Sequence, residues 1–326
     1  VQCLIRKEKG SVIILLMLIF AVFAGITMVV SQSGLVYLSK SKLQNAVDAA
    51  ALAGAQDIAT GKTWATVENT ALEYVNSNIT LDAEPIITPY STSGTITGIT
   101  VTASLDVHYA MPQLLGTDSG KTSVQAAATA NAQVITGMNG LVPVIALKGE
   151  VQFPSSTDIL LKGGSQDQFA SVYEDNYHQG PPGFRGMLSM DGLHGGNLGK
   201  LFYDPNDPMK IGCEQTITTG GMVDTQNGTV SSIAYNVMQR VAINPVIYMP
   251  VVDTAMINGV ETVLLDKNQN VIVIGFAAFE LNAEYPIGTG TKAQLYGHFV
   301  QTIAVGDSST LNTSNNYGLT TVKLIE

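Results

Sequence analysis

Between Gly10 and Ser39 the chain carries no charged side chain. Within that stretch, residues 11–30 are almost entirely Ile, Leu, Val, Phe, Met and Ala. A helix needs roughly 20 apolar residues to cross a bilayer core, so this run is long enough to span one. It exceeds the roughly 7–15 residues of a secretory signal core, which argues against a cleaved leader. Arg6, Lys7 and Lys9 precede it. By the positive-inside bias they place the N-terminus in the cytoplasm and everything past about residue 30 outside.

No break follows the apolar run. Leu35, Leu38, Ala46, Ala49, Ala50, Ala53 and Gly54 fall along one side at helical spacing, and Lys40, Lys42, Gln44, Asp48 and Asp57 tend to the other. One helix over residues 11–57 would be about 70 Å long. Its small residues permit close approach of another backbone. The candidate membrane residues are Ser11, Val12, Ile13, Leu15, Leu16, Phe20, Phe23, Gly25 and Val29. The candidate assembly residues of the stem are Leu35, Leu38, Leu43, Ala46, Ala50, Ala53 and Gly54. A signal anchor followed by an ordinary Ala-rich core helix is the competing reading.

Three pieces carry a family resemblance: Arg6-Lys-Glu-Lys-Gly-Ser11, the apolar run, and Leu43-Gln-Asn-Ala-Val-Asp-Ala-Ala-Ala-Leu-Ala-Gly-Ala55. Together they resemble the N-terminal module of TadG-like Flp pilus-assembly proteins, over about the first 57 residues. The stretches 192–199, 219–222, 251–253 and 274–279 resemble, more loosely, the exoplasmic half of some members. The resemblance implies a pilin-like role without catalysis or cofactor. It implies as partners the lipid bilayer, copies of the chain or other pilin-like subunits, and a Tad secretion machine with its ATPase and membrane platform. Type IV prepilins are cut after a Gly and carry Glu at the fifth position of the mature helix. Here Leu15 stands at that position after Gly10, so the processing signal is incomplete and the basic tail is expected to be retained.

Composition narrows the remaining classes. The net charge is −10, and only Arg185 and Arg240 represent Arg beyond the tail. An acidic, Arg-poor surface argues against nucleic acid as a partner, because phosphates need basic neutralisation. Cys3 and Cys213 would lie on opposite sides of a membrane, and no CxxC metal motif occurs.

The fold class expected is α+β: a long N-terminal helix packed on a small antiparallel sheet, then a β-rich exoplasmic domain. The divisions are a basic tail over 1–10, the spanning helix and stem over 11–57, a pilin-like α/β unit over 58–137, and the β-rich domain over 138–326. In the pilin-like unit, Trp64, Val67, Ala71, Tyr74 and Val75 predict a helix to about residue 76, followed by strands at 86–90, 95–109 and 123–136. A short apolar piece at 111–115 links the last two. Beyond Gly137-Met-Asn-Gly140, strands are expected at 210–218, 246–252, 271–281, 294–305 and 319–325. The uniformly apolar residues 271–279 suggest a strand buried on both faces. A helix at 230–241 should turn Ile233, Ala234, Val237, Met238 and Val241 inward, and 306–316 reads as a polar loop.

Catalytic signals are sparse. His108, His178, His194 and His298 show no metal-binding spacing, and neither a Gly-x-Ser-x-Gly elbow nor a phosphate loop occurs. A thiol hydrolase would have to use Cys213 with His194 and an Asp. Asp204 and Asp207, in Asp-Pro-Asn-Asp-Pro, form a Ca²⁺ candidate whose simpler reading is a Pro-stiffened turn. The pair Tyr173 and Tyr177 beside two acids offers an adhesive contact or two anchoring tyrosines. The sequence therefore favours a structural or assembly subunit, with a membrane-anchored adhesin or ligand-binding protein as the alternative and an anchored hydrolase third.

Overall fold

A single helix, α1 (Lys9–Ala59), runs unbroken from the membrane-type sequence into the body. The computed structural model describes residues 9–92, 94–108, 120–153, 158–162, 171–173, 178–179, 184–227, 233–282, 295–310 and 316–325. Gly61, at φ 74°, lets the chain reverse after α1, with Gly61 N donating to Ile58 O at 3.0 Å and Lys62 N to Asp57 O at 3.0 Å. The second helix, α2 (Trp64–Asn78), then packs back on α1 through Val67, Ala71 and Val75, spaced four residues apart on one face. The buried Asp57 carboxylate fixes the corner, accepting from Lys62 Nζ at 2.7 Å and Thr70 Oγ1 at 2.6 Å.

The strands β1 (Ile86–Thr92), β2 (Thr95–His108) and β3 (Lys121–Met138) form an antiparallel meander beneath the helices. Alternation sets which face meets them. Ile99, Val101 and Ala103 of β2 and Val124, Ala126, Ala128 and Ala130 of β3 are buried at period two, against Leu43, Val47, Ala50 and Ala55 of α1. Alanine on both sides lets the helix lie close to the strands. At Gly98 even a methyl group would collide with the Ala130 carbonyl across the ladder.

This sheet is completed from the far end of the sequence. Strand Leu319–Ile325 pairs antiparallel with β3, from Thr320 opposite Val134 to Ile325 opposite Thr129. Strands Asp307–Thr310 and Ile217–Thr218 also pair with β3, and Thr302–Ile303 runs parallel to Leu319–Ile325. The sheet thus draws strands from both sides of the Gly137–Gly140 boundary. The stretch 306–316, expected as a loop, contributes the strand Asp307–Thr310.

The second sheet is built around strand Asn270–Leu281, which pairs with Val246–Val252, Leu295–Val300, Met222–Asn227 and Val260–Leu265. Its burial is uneven: residues 270–274 alternate, whereas 275–279 are buried on both faces. Phe279 meets Phe299 edge-on, with ring centroids 5.1 Å apart. The expected strand over 294–305 divides at Gln301 into Leu295–Val300 and Thr302–Ile303, which join different sheets.

Two expectations for this region are corrected. Residues 210–218 yield strand only at Ile217–Thr218. The rest turns, because Gly212 N bonds Leu201 O at 2.9 Å and Cys213 N bonds Leu141 O at 2.9 Å. Helix α3 (Ile233–Ile243) exists, and Val237 and Val241 face the core as expected, but Met238 is exposed and the polar Asn236 and Arg240 are buried beside Val237. Arg240 Nη2 donates to Val246 O at 2.8 Å, which draws that face inward.

Candidate assembly surface

Two consecutive stretches of α1 differ in what covers them. From Ile13 to Phe23 the large aliphatic and aromatic side chains are 44–68% exposed, and exposure continues through Ile26, Val29 and Val30. Leu15, Leu16, Phe20, Phe23 and Val29 lie in this uncovered part, and Gly25 has no atom within 4 Å of where a Cβ would stand. Helix Ile13–Ala59 is, among the described residues, the one long and apolar enough to cross a membrane. Its most apolar window is covered by no other part of the protein. Arg6 and Lys7 lie outside the described residues, while Lys9 opens the helix just before Ser11 and Val12.

The body first reaches the helix at Gln32. This side chain is buried, and its Nε2 donates to His108 O at 3.2 Å, so the end of β2 stands beside the end of the apolar run. Leu35 and Leu38 nevertheless remain about half exposed, beside Tyr37. One turn later the cover closes: Leu43, Ala46 and Ala50 are wholly buried, and Ala53 and Gly54 are buried as well. Gln44 Nε2 donates to Ala127 O at 3.1 Å and anchors this part to β3. The sixteen candidate residues therefore divide. Those from Ile13 to Leu38 are exposed, the side chains of Ser11 and Val12 lie outside the described ones, and the five from Leu43 onward are core residues of this chain. Gly54 illustrates the change, since a Cβ there would stand 2.8 Å from Ile99 Cδ1. The close backbone approach read from the small residues is made to this protein's own sheet. Periodicity identified the stripe but could not say which surface fills it.

The other sequence candidates resolve differently. The Asp204 carboxylate accepts from Asn206 N at 2.9 Å and its carbonyl accepts from Asp207 N at 3.1 Å, which is a self-contained turn. Among the described residues no group of three or more His, Cys, Asp or Glu side chains is placed to hold a metal ion. Cys213 is buried, its thiol donates to Gln215 O at 3.3 Å, and burial pushes its pKa up, away from the thiolate a nucleophile requires. His194 Nδ1 lies 3.0 Å from Ser189 Oγ. The stretch 111–115 and Tyr177 lie outside the described residues.

One polar group escaped sequence reading. His298 Nδ1 lies 3.1 Å from Asp158 Oδ1, and Asn282 donates to the same carboxylate. Those contacts hold the Asp158 carboxyl below the usual carboxylate range, the Asn282 hydrogen bond most and His298 next. His298 stands opposite Glu280 in the strand register. Alternation alone could have paired those two, but Asp158 is 140 residues away in sequence and gave no signal.

A membrane-type helix whose continuation seals an α/β body is an anchor-and-stem arrangement, and this defines the class of the N-terminal module. A family model described as "Putative Flp pilus-assembly TadE/G-like" matches residues 10–57. The match covers α1 almost from end to end. It likens the N-terminal module to a structural and assembly family associated with pili. No curated protein and no solved structure matches the chain.

Proposed function

We propose that this protein is a non-enzymatic, pilin-like structural subunit of a bacterial Tad/Flp-type pilus or filament, held by α1 as a single-pass protein with its N-terminus inside and its body outside. The observation that carries the reading is the uncovered apolar part of α1, continuous with a stem locked into the body and matched by the pilus-assembly family model. Large aliphatics left bare by the protein need lipid or other helices around them. In the membrane, lipid covers residues 13–30. In a filament, helices of neighbouring copies or of other pilin-like subunits take its place, and association there rests on van der Waals packing.

The division at Leu43 sets which residues serve assembly. Leu43, Ala46, Ala50, Ala53 and Gly54 hold the stem to its own sheet, so the contacts to neighbours fall on residues 13–38. The basic tail, Arg6, Lys7 and Lys9, supports the inward orientation of the N-terminus. Partners of a Tad secretion machine follow from the family match alone. Electron microscopy of filaments sheared from producing cells, with mass spectrometry of their subunits, tests the proposal. The chain is expected in the filaments, whether as main or minor component. Its complete absence from them, with retention in the membrane, would favour an anchored adhesin or ligand-binding protein.

A further inference from the structure

In the body, residues 148–153 leave strand Ala146–Leu147 and lie as a strap over the larger core, where Val151 and Phe153 are half-buried. Two pins hold the strap. At one end Gly149 N donates to Glu261 Oε1 at 2.7 Å, and Thr254 Oγ1 donates to the same oxygen at 2.7 Å. The backbone lies so close to that carboxylate that a Cβ on Gly149 would stand 2.5 Å from Glu261 Oε2. At the other end the Phe153 ring lies against Gly318, where a Cβ would stand 2.2 Å from it. Between the pins Glu150 N closes a turn on Leu147 O at 3.1 Å, and Gln152 Nε2 donates to Gly149 O at 3.1 Å.

The Glu150 side chain has nothing to balance it. Its Oε2 is buried and has no hydrogen-bond partner. The charged group facing it is another carboxylate, Glu261 of strand Val260–Leu265. Lys148, on the strap itself, is exposed and makes no ion pair among the described residues. A buried carboxylate without donor or counter-charge is costly, and a like charge nearby adds to the cost. Glu150 therefore stays inside as the neutral acid, or ionises and turns out to water. Because it follows Gly149 directly, turning out draws the Gly149 amide off Glu261.

We propose that residues 148–153 form a proton-controlled latch, shut while Glu150 is protonated and released from Glu261 when Glu150 ionises. Release frees Val151 and Phe153 from the core and leaves the surrounding strands in place. With the strap shut, the pKa of Glu150 is pushed up to about 7 from 4.5, by burial first. The latch is thus firmly shut below about pH 4.5, loosens as pH rises to about 7, and loosens no further above it.

Hydrogen–deuterium exchange of the full chain in detergent at pH 5 and pH 8, corrected for intrinsic exchange rates, tests this on the amides of Gly149 and Glu150. Their protection is expected to fall by about tenfold or more between the two pH values, while the amides of β3 keep theirs. Glu150→Gln cannot ionise and should keep the strap protected at both. Equal protection of the wild-type strap at pH 5 and pH 8 would overturn the proposal. So would an undiminished fall in Glu150→Gln, or a loss shared equally by β3, which is general destabilisation and not release of the strap.

Discussion

Residues 13–30 and 43–59 belong to one helix, yet they follow opposite rules. The first stretch has the larger and more hydrophobic side chains, and they are bare. The second is richest in alanine, and most of it is buried. Hydrophobicity alone would have placed the interior the other way round. What distinguishes the two is the shape of the partner. A folded sheet offers a fixed surface on which Ala50 and Gly54 allow close approach, whereas a fluid or helical environment accepts Ile, Leu and Phe without a prepared surface. The same backbone therefore serves as core in one part and as an uncovered surface in the other, with Gln32 and its bond to His108 O marking the change.

The strongest way to break this comparison is one truncation made in both stretches. Leu43→Ala should cost the body about 2–5 kcal/mol, as a fully buried Leu does when it leaves a cavity. Leu16→Ala should leave the melting temperature of the body unchanged. Thermal unfolding of both variants in detergent, followed by near-ultraviolet circular dichroism, checks the pair. Equal destabilisation would mean that residues 13–30 are covered by the body after all. Val22→Arg, at the middle of the bare stretch, reverses the contrast. It should raise the cost of membrane insertion by about 2.5–3.5 kcal/mol. The readout is the fraction resisting alkaline extraction, with body stability unaltered.

Ionisation separates the two regions in another way. Residues 13–30 carry no charge, whereas Glu150, in the body, has its pKa pushed up to about 7, by burial first and by the neighbouring Glu261 carboxylate after the opposing Leu147 hydrogen bond. Its unfolded value is near 4.5, so the folded state resists ionising it. Below about pH 4.5 both states hold the proton and Glu150 costs nothing. As pH rises from 4.5 to 7 the unfolded chain releases the proton more readily, and stability is lost until the penalty levels off above 7. Glu150→Gln should therefore melt like the wild type at pH 4 and higher than it at pH 8. Membrane retention should not change over that range. A stability difference independent of pH would assign the effect to packing.

Much of this arrangement was legible in the sequence, and the parts that were not share a cause. The bare run, the stem, α2 and the β1–β3 meander follow from local periodicity, and the structure places each within a few residues of its expected limits. The alanine stripe at 46–54 was legible as a contact surface, but the strands it meets are distant in sequence, the last of them Leu319–Ile325, so neighbouring subunits were equally good occupants. The return of Leu319–Ile325 to β3 is a pairing across almost two hundred residues, which local pattern cannot encode. In α3 the error was of a different kind. The 3.6-residue period was read correctly, but one carbonyl, that of Val246, outweighed it by holding Arg240 inside.

The smallest effect sharpens the comparison furthest, because two terms of similar size meet in it. Gly34 and Gly54 both lie inside α1, where Gly→Ala gains about 0.8–1 kcal/mol of helix propensity. At Gly34 nothing lies within 4 Å of the added methyl, so the gain should appear nearly whole as a rise in helix stability. At Gly54 the methyl meets Ile99 Cδ1 at 2.8 Å and Ile99 Cγ2 at 3.2 Å. Overpacking of this kind typically costs about 1–3 kcal/mol, and the end of one flexible side chain can relieve part of it. The two terms leave Gly54→Ala destabilising by roughly 1 kcal/mol. Chemical denaturation of both variants in the same detergent checks the difference in sign. A gain at both positions would show that Ile99 yields freely, and that the close approach at Gly54 is permitted by the glycine but not required of it.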